Sequence, residues 1–182
     1  MTTTKRTQTT PRMTVPKTYK LYIGGAFPRS ESGRTVEVLD SAGNHIAHAA
    51  RASRKDTREA VVAARKAAGS WGSKTAYLRG QILYRIAEML DARREQFVAE
   101  LMSTGSTRRA AESEVDEAVA TWVHYAGWAD KYAQVVGSAN PVAAPYFNFS
   151  MPEPMGVIAI LAPQGANTAL LGLARTIAPA IV

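Results

Sequence analysis

The segment that most constrains this chain runs from Gly156 to Val182. Gly156 to Leu161 is a continuous apolar run of strand length, Pro163 to Asn167 is turn chemistry, and an apolar helical pattern follows to Val182. An apolar run of this kind reads as a strand buried on both faces, and the turn offers Asn167 as a helix N-cap. The unit therefore predicts the opening β-turn-α of a parallel sheet. A parallel strand needs neighbouring strands, reached through crossovers of about a dozen residues or more. No such crossover follows Val182 in the 182 residues, so the expectation is a truncated protein.

Charge is unevenly spread. Residues 1–20 hold Lys5, Arg6, Arg12, Lys17 and Lys20 with no acid, so 5 of the 22 basic residues lie there and the other 17 face 15 acids. The basicity thus belongs to a Thr-rich tail without interleaved aromatics, and no nucleic-acid partner is expected. The tail has no apolar h-region and no amphipathic arginine stripe, which argues against a secretory signal or a transit peptide. Residues 1–18 are expected to be a disordered tail. With no cysteine, the chain holds no disulfide, thiolate metal site or thiol nucleophile, and a cytoplasmic location is expected. No membrane span is expected either: Pro163 and Gln164 interrupt the apolar end, and the remaining stretch of about 14 residues contains Arg175, against the roughly 20 needed.

Residues 19–136 read as two short strands and a helical layer. Lys20–Phe27 and Thr35–Leu39 alternate around glycine turns and predict a hairpin or small edge sheet. Ser53 with Asp56 matches a capping box and opens a helix through Ala68, ending near Gly69, with Ala60, Val61, Ala64 and Ala67 inward. A second helix, Ala76 to Arg93, carries Leu78, Ile82, Leu83, Ile86, Met89 and Leu90 on one stripe. A short third, Glu95 to Ser103, stops at Gly105, and a long fourth runs from Glu112 to about Gln134 with two apolar stripes. After Lys131 only Glu153 and Arg175 are charged, and the proline-bounded Ala144–Ser150 reads as an extended strand.

Several local strings then resemble the N-terminal portion of the NAD(P)-dependent aldehyde dehydrogenase superfamily, over Leu21 to Val182. Tyr22-Ile-Gly-Gly-Ala-Phe27 is similar to that family's opening strand, Glu59-Ala-Val-Val-Ala-Ala-Arg65 to its first helix and Arg79–Ala87 to its second. Tyr125-Ala-Gly-Trp-Ala-Asp-Lys131 resembles its long-helix signature. Glu153-Pro-Met-Gly-Val-Ile158 resembles the entry to its nucleotide domain, and Ile177-Ala-Pro-Ala180 the end of the first Rossmann helix. Ser103-Thr-Gly-Ser-Thr107 departs from the family's Glu-Thr-Gly-Lys-Pro turn, losing both charges and the proline, which marks a divergent branch.

The resemblance implies an α/β fold: an N-terminal helical layer with short antiparallel strands, an oligomerisation-type strand or linker at 137–154, and the first β-α unit of an incomplete Rossmann-type domain at 155–182. It implies oxidation of a small-molecule aldehyde to a carboxylate with NAD or NADP, through a cysteine thiolate, a glutamate base and an oxyanion-holding asparagine. The cysteine and glutamate have no counterpart in these residues, so this chain is expected to be inactive alone and not to bind NAD or NADP by itself. Ungapped matching places Gly165 where the oxyanion asparagine belongs, whereas a two-residue loop insertion gives Asn167 that role; a plain helix N-cap already explains the type and place of Asn167 and is the preferred reading. Backbone at Ala162, Pro163 and Gln164 is the candidate cofactor contact, with Gln164 a second candidate carboxamide. The three histidines and Trp71, Trp122 and Trp128 read as surface or packing residues rather than metal ligands or a cofactor box. Homo-oligomerisation, or pairing with a full-length paralogue as an interaction module, is the expectation for partners, and a nonfunctional remnant is the remaining alternative.

Overall fold

The computed structural model describes residues 15–163 and 168–182. Three strands open the chain: β1 (Lys17–Tyr19), β2 (Thr35–Leu39) and β3 (His45–Ala50), in the order β1-β3-β2. β1 runs parallel and β2 antiparallel to β3. The predicted hairpin between Lys20–Phe27 and Thr35–Leu39 does not form. Ile23 and Ala26 instead exchange backbone hydrogen bonds of 3.0 and 3.1 Å around Gly24 and Gly25, whose φ angles are 60° and 83°. Two glycines tolerate positive φ in succession, so the chain reverses too tightly for its arms to reach β2. The central strand is β3, where Ala47 and Ala49 lie opposite Val38 and Val36.

Helix α1 (Arg54–Gly72) begins at Ser53 as predicted. The Ser53 hydroxyl accepts the Asp56 amide at 3.2 Å, and the Asp56 carboxylate accepts the Ser53 amide at 2.7 Å. Asp56, only 4% exposed, also accepts from the Ser30 hydroxyl at 2.8 Å and the Glu31 amide at 3.2 Å. These donors, the Ser53 amide first, hold its carboxyl below the usual carboxylate range against the opposing effect of burial. The helix passes through Gly69, and its inward face differs from the expected one. Val61 is 42% exposed, and Ala64 and Ala67 face out; Asp56, Ala60, Ala63, Ala68 and Trp71 are the more buried positions. Five alanines spread around the 19-residue helix left the phase open, and contacts from elsewhere set it: the Gly24 turn lies against Ala63, and Ser30 binds Asp56.

Helix α2 (Ala76–Asp91) is capped by the Thr75 hydroxyl and buries Leu83, Ala87 and Leu90, whereas Leu78 and Met89 of the predicted stripe stay exposed. α3 (Arg94–Ser103) ends where Gly105, at φ 109°, donates to the Met102 carbonyl and Ser106 donates to Leu101. That paired pattern closes a helix in left-handed backbone. α4 (Arg108–Trp128) starts one turn before the predicted Glu112, because the Thr107 hydroxyl accepts the Ala110 amide at 3.3 Å. It stops at Trp128 rather than Gln134; α5 (Tyr132–Val136) is a separate turn of helix. Of the predicted strand Ala144–Ser150, only β5 (Asn148–Ser150) pairs, antiparallel to β4 (Ser138–Asn140). Pro145 has no amide to give a ladder.

Met155–Leu161 joins no ladder among the described residues, and Leu161 is 95% exposed, so the predicted buried strand is instead unpaired backbone. Its apolar sequence suits a sheet interior, but a strand exists only through hydrogen bonds to neighbours. The helix of the predicted unit does form, as α6 (Ala169–Ile181), burying Leu171, Gly172, Ala174 and Ala178. α4 is central to the core: Val115, Ala118 and Trp122 meet Leu83 and Leu90 of α2, Val98 of α3 and Ala174 of α6. At Gly80 an added Cβ would lie 2.9 Å from the Ala126 carbonyl oxygen, which shows how closely α2 approaches α4. No helix among the described residues is long and apolar enough to cross a membrane.

Candidate functional site at the N-terminus of α6

The sequence directs attention to the turn before α6. Ala162 is exposed and Pro163 half-buried; Gln164 and Asn167 lie outside the described residues. Thr168 takes the N-cap position and Ala169 begins the helix. Pro163 is pressed onto α6 so closely that a Cβ on Gly172 would fall 2.2 Å from its Cγ. Only a residue without a side chain admits this approach, so the end of the 155–163 segment and the first turn of α6 are locked together.

An acid on α4 completes the arrangement. Glu114, 2% exposed, accepts the Leu170 amide at 2.7 Å and the Leu171 amide at 3.2 Å through Oε1. The first-turn amides of a helix lack intrahelical partners and carry its positive end, so a buried carboxylate is stabilised there. Oε2 of the same group is buried and has no hydrogen-bond partner. The other end of α6 is held by donors: the Trp71 indole N–H reaches the Ile181 carbonyl at 3.1 Å, and the Arg79 Nε–H reaches the Val182 carbonyl. An anion at the start and a cation at the finish both oppose the dipole. Arg175 and Glu117 add an exposed ion pair at 3.3 Å between α6 and α4.

This geometry limits what the site can do. A helix N-terminus next to a turn is a ready place for a phosphate, but here the Leu170 and Leu171 amides are already engaged by Glu114. With no strand paired beside Met155–Leu161, the described residues do not by themselves form a dinucleotide cradle. Glu114 was not singled out in the sequence. Its signal was an acid on the buried stripe of α4, between Ala111 and Val115 on one side and Ala118 on the other. His124 packs edge-on against Tyr125 at 5.2 Å and lies 6.2 Å from the Trp128 ring. No group of three or more His, Cys, Asp or Glu able to hold a metal occurs among the described residues.

Comparison with known proteins agrees with this architecture. The aldehyde dehydrogenase family profile matches residues 27–182. The mouse mitochondrial 10-formyltetrahydrofolate dehydrogenase is 33% identical over 160 residues, covering 83% of this chain and 17% of that protein. Retinal dehydrogenase 2 of Gallus gallus is 36% identical over 169 residues, covering 89% of this chain and 32% of its own length. The crystal structure of PnpE in complex with nicotinamide adenine dinucleotide superposes with a TM-score of 0.83 at 30% identity, over 90% of this chain and 33% of that one. The chain thus spans a third or less of the length of these relatives. With a family match over most of its residues and the same fold at this identity, the chain belongs to the aldehyde dehydrogenase family and corresponds to the N-terminal portion of it.

Proposed function

We propose that these residues are the N-terminal scaffold of an oxidoreductase that converts an aldehyde to a carboxylate with reduction of NAD or NADP, and that alone they do not catalyse it. One observation carries the second half: a family match over residues 27–182 coexists with a sequence that contains no cysteine. Without a thiol, the thiohemiacetal and thioester of the family's reaction cannot form on this chain. In this reading the chain contributes position. Glu114, Pro163 and Gly172 fix the first turn of α6, Asn167 offers its carboxamide to the oxyanion, and backbone at Ala162, Pro163 and Gln164 faces the cofactor. The whole enzyme is cytoplasmic and oligomeric.

The test is an assay of the purified 182-residue chain with aliphatic and aromatic aldehydes and NAD or NADP, following the ultraviolet absorbance of the reduced cofactor. The expected result is no turnover above buffer; turnover by this chain overturns the proposal. A second reading, an interaction module that docks onto a full-length paralogue, is favoured by the exposed aromatics beside β4 and β5: Tyr146 is 77%, Phe147 80% and Phe149 58% exposed. An unpaired sheet edge with an apolar flank recruits another strand. Co-purification with a full-length aldehyde dehydrogenase supports it, and a strictly monomeric, unaccompanied chain refutes it.

A further inference from the structure

The whole formal net charge of +7 lies in residues 1–58, which hold 11 of the 22 basic and 4 of the 15 acidic residues; residues 59–182 balance. Two of those four acids are already engaged, Asp56 by Ser53 and Ser30 and Asp40 by Asn44. The Thr-rich tail holds no aromatic ring, but the turn just after β1 presents two. Tyr22 and Phe27 meet across the Gly24–Gly25 reversal with ring centroids 5.1 Å apart, and they are 68% and 66% exposed. The Leu21 amide donates to the Pro28 carbonyl at 3.1 Å and Ile23 is bridged to Ala26, so Lys20 and Arg29 come opposite each other at the base of this small hairpin. Side chains alternate along an extended arm, which puts Lys20 on the face of Tyr22 and Arg29 on the face of Phe27. Leu21 and Ile23, on the other face, are half-buried, and the tip at Gly24 rests on Ala63 of α1. Lys20 and Arg29 are exposed and have no ion-pair partner among the described residues.

We propose that this hairpin face binds single-stranded nucleic acid. The two rings stack on unpaired bases, while Lys20, Arg29 and the basic residues ahead of β1 neutralise backbone phosphates. Every base has a π-face, so the binding tolerates any sequence. A duplex buries those faces in its own stack, which selects the single strand. An anionic bilayer would be gripped by long aliphatic side chains inserted below the headgroups, and this face offers none.

The experiment is fluorescence anisotropy of labelled oligothymidylate and oligouridylate, each about 20 nucleotides long to span at least one site, titrated with the 182-residue chain at low and moderate salt. Saturable binding is expected, weakening with salt at a log–log slope of about −0.7 per phosphate contacted. Tyr22→Leu and Phe27→Leu should each weaken it about fivefold or more, because leucine keeps the apolar bulk and loses the π-face. Lys20→Gln should reduce the slope by about 0.7. Tyr77→Leu, which removes a tyrosine 71% exposed on α2, should leave binding unchanged, and circular dichroism verifies that each variant is folded. No binding, equal binding of a duplex of the same length, or full affinity in both hairpin leucine variants overturns the proposal. So does tighter binding to vesicles of phosphatidylserine and phosphatidylcholine than to the oligonucleotides.

Discussion

Replacing Glu114 tests whether α6 is docked by a carboxylate from another helix. The two amides that reach Oε1 are at 2.7 and 3.2 Å, and the group is 2% exposed, so water cannot substitute freely when it is removed. A hydrogen bond to a charged acceptor contributes about 1.5–3 kcal/mol, and a favourable charge at a part-buried helix end up to about 2 kcal/mol. Against these stands the cost of keeping a carboxylate out of water, several kcal/mol before compensation. With the small cavity left behind, the net loss for Glu114→Ala comes to about 2–4 kcal/mol. Glu114→Gln keeps an oxygen facing the amides, and a neutral bond is about half as strong as a charge-assisted one, so about half that loss is expected. Urea unfolding measures the totals, and native-state hydrogen exchange locates them. Leu170 and Leu171 should lose protection first, while amides of α2 follow only the global change. An alanine variant within about 0.5 kcal/mol of the parent, or unchanged protection at those two amides, refutes the reasoning.

The Pro163 contact predicts a steric effect of opposite character. Gly172→Ala places a methyl where only 2.2 Å is available, and overpacking of this kind costs about 1–3 kcal/mol, readable as a lower urea midpoint with exchange accelerated around Pro163 and the start of α6. Asp56 gives a pH signature. Its folded pKa is depressed below the ordinary 3.8, so its contribution is complete above that value and is lost as pH falls through the lowered folded value. Thermal melts taken from neutral pH down past 3.8 should lose stability more steeply in the parent than in Asp56→Asn, and parallel curves would contradict the assignment.

Most elements were legible where the signal is local. Ser53 with Asp56 announced the start of α1, Gly105 the end of α3, and the apolar period of residues 76–93 predicted α2, because caps and stripes act through residues three or four apart. Boundaries moved where a different local group competed: Thr107 opened α4 early. The faces of α1 were not legible, since a helix rich in alanine offers several equivalent apolar sides. Met155–Leu161 shows the reverse: its composition states what environment it suits, while pairing depends on strands that the chain does not place beside it.

From sequence alone came the family, the run of helices, their caps and the lack of any thiol among these residues, since each depends on residue identity or on spacing within one turn. Tertiary structure decided the pairing of β3 between β1 and β2, the seating of Pro163 on Gly172, and the anchoring of Leu170 by Glu114, 56 residues away. Such contacts depend on the path of the backbone in space. A buried acid on an apolar stripe becomes intelligible only when the helix end that needs it has been brought alongside.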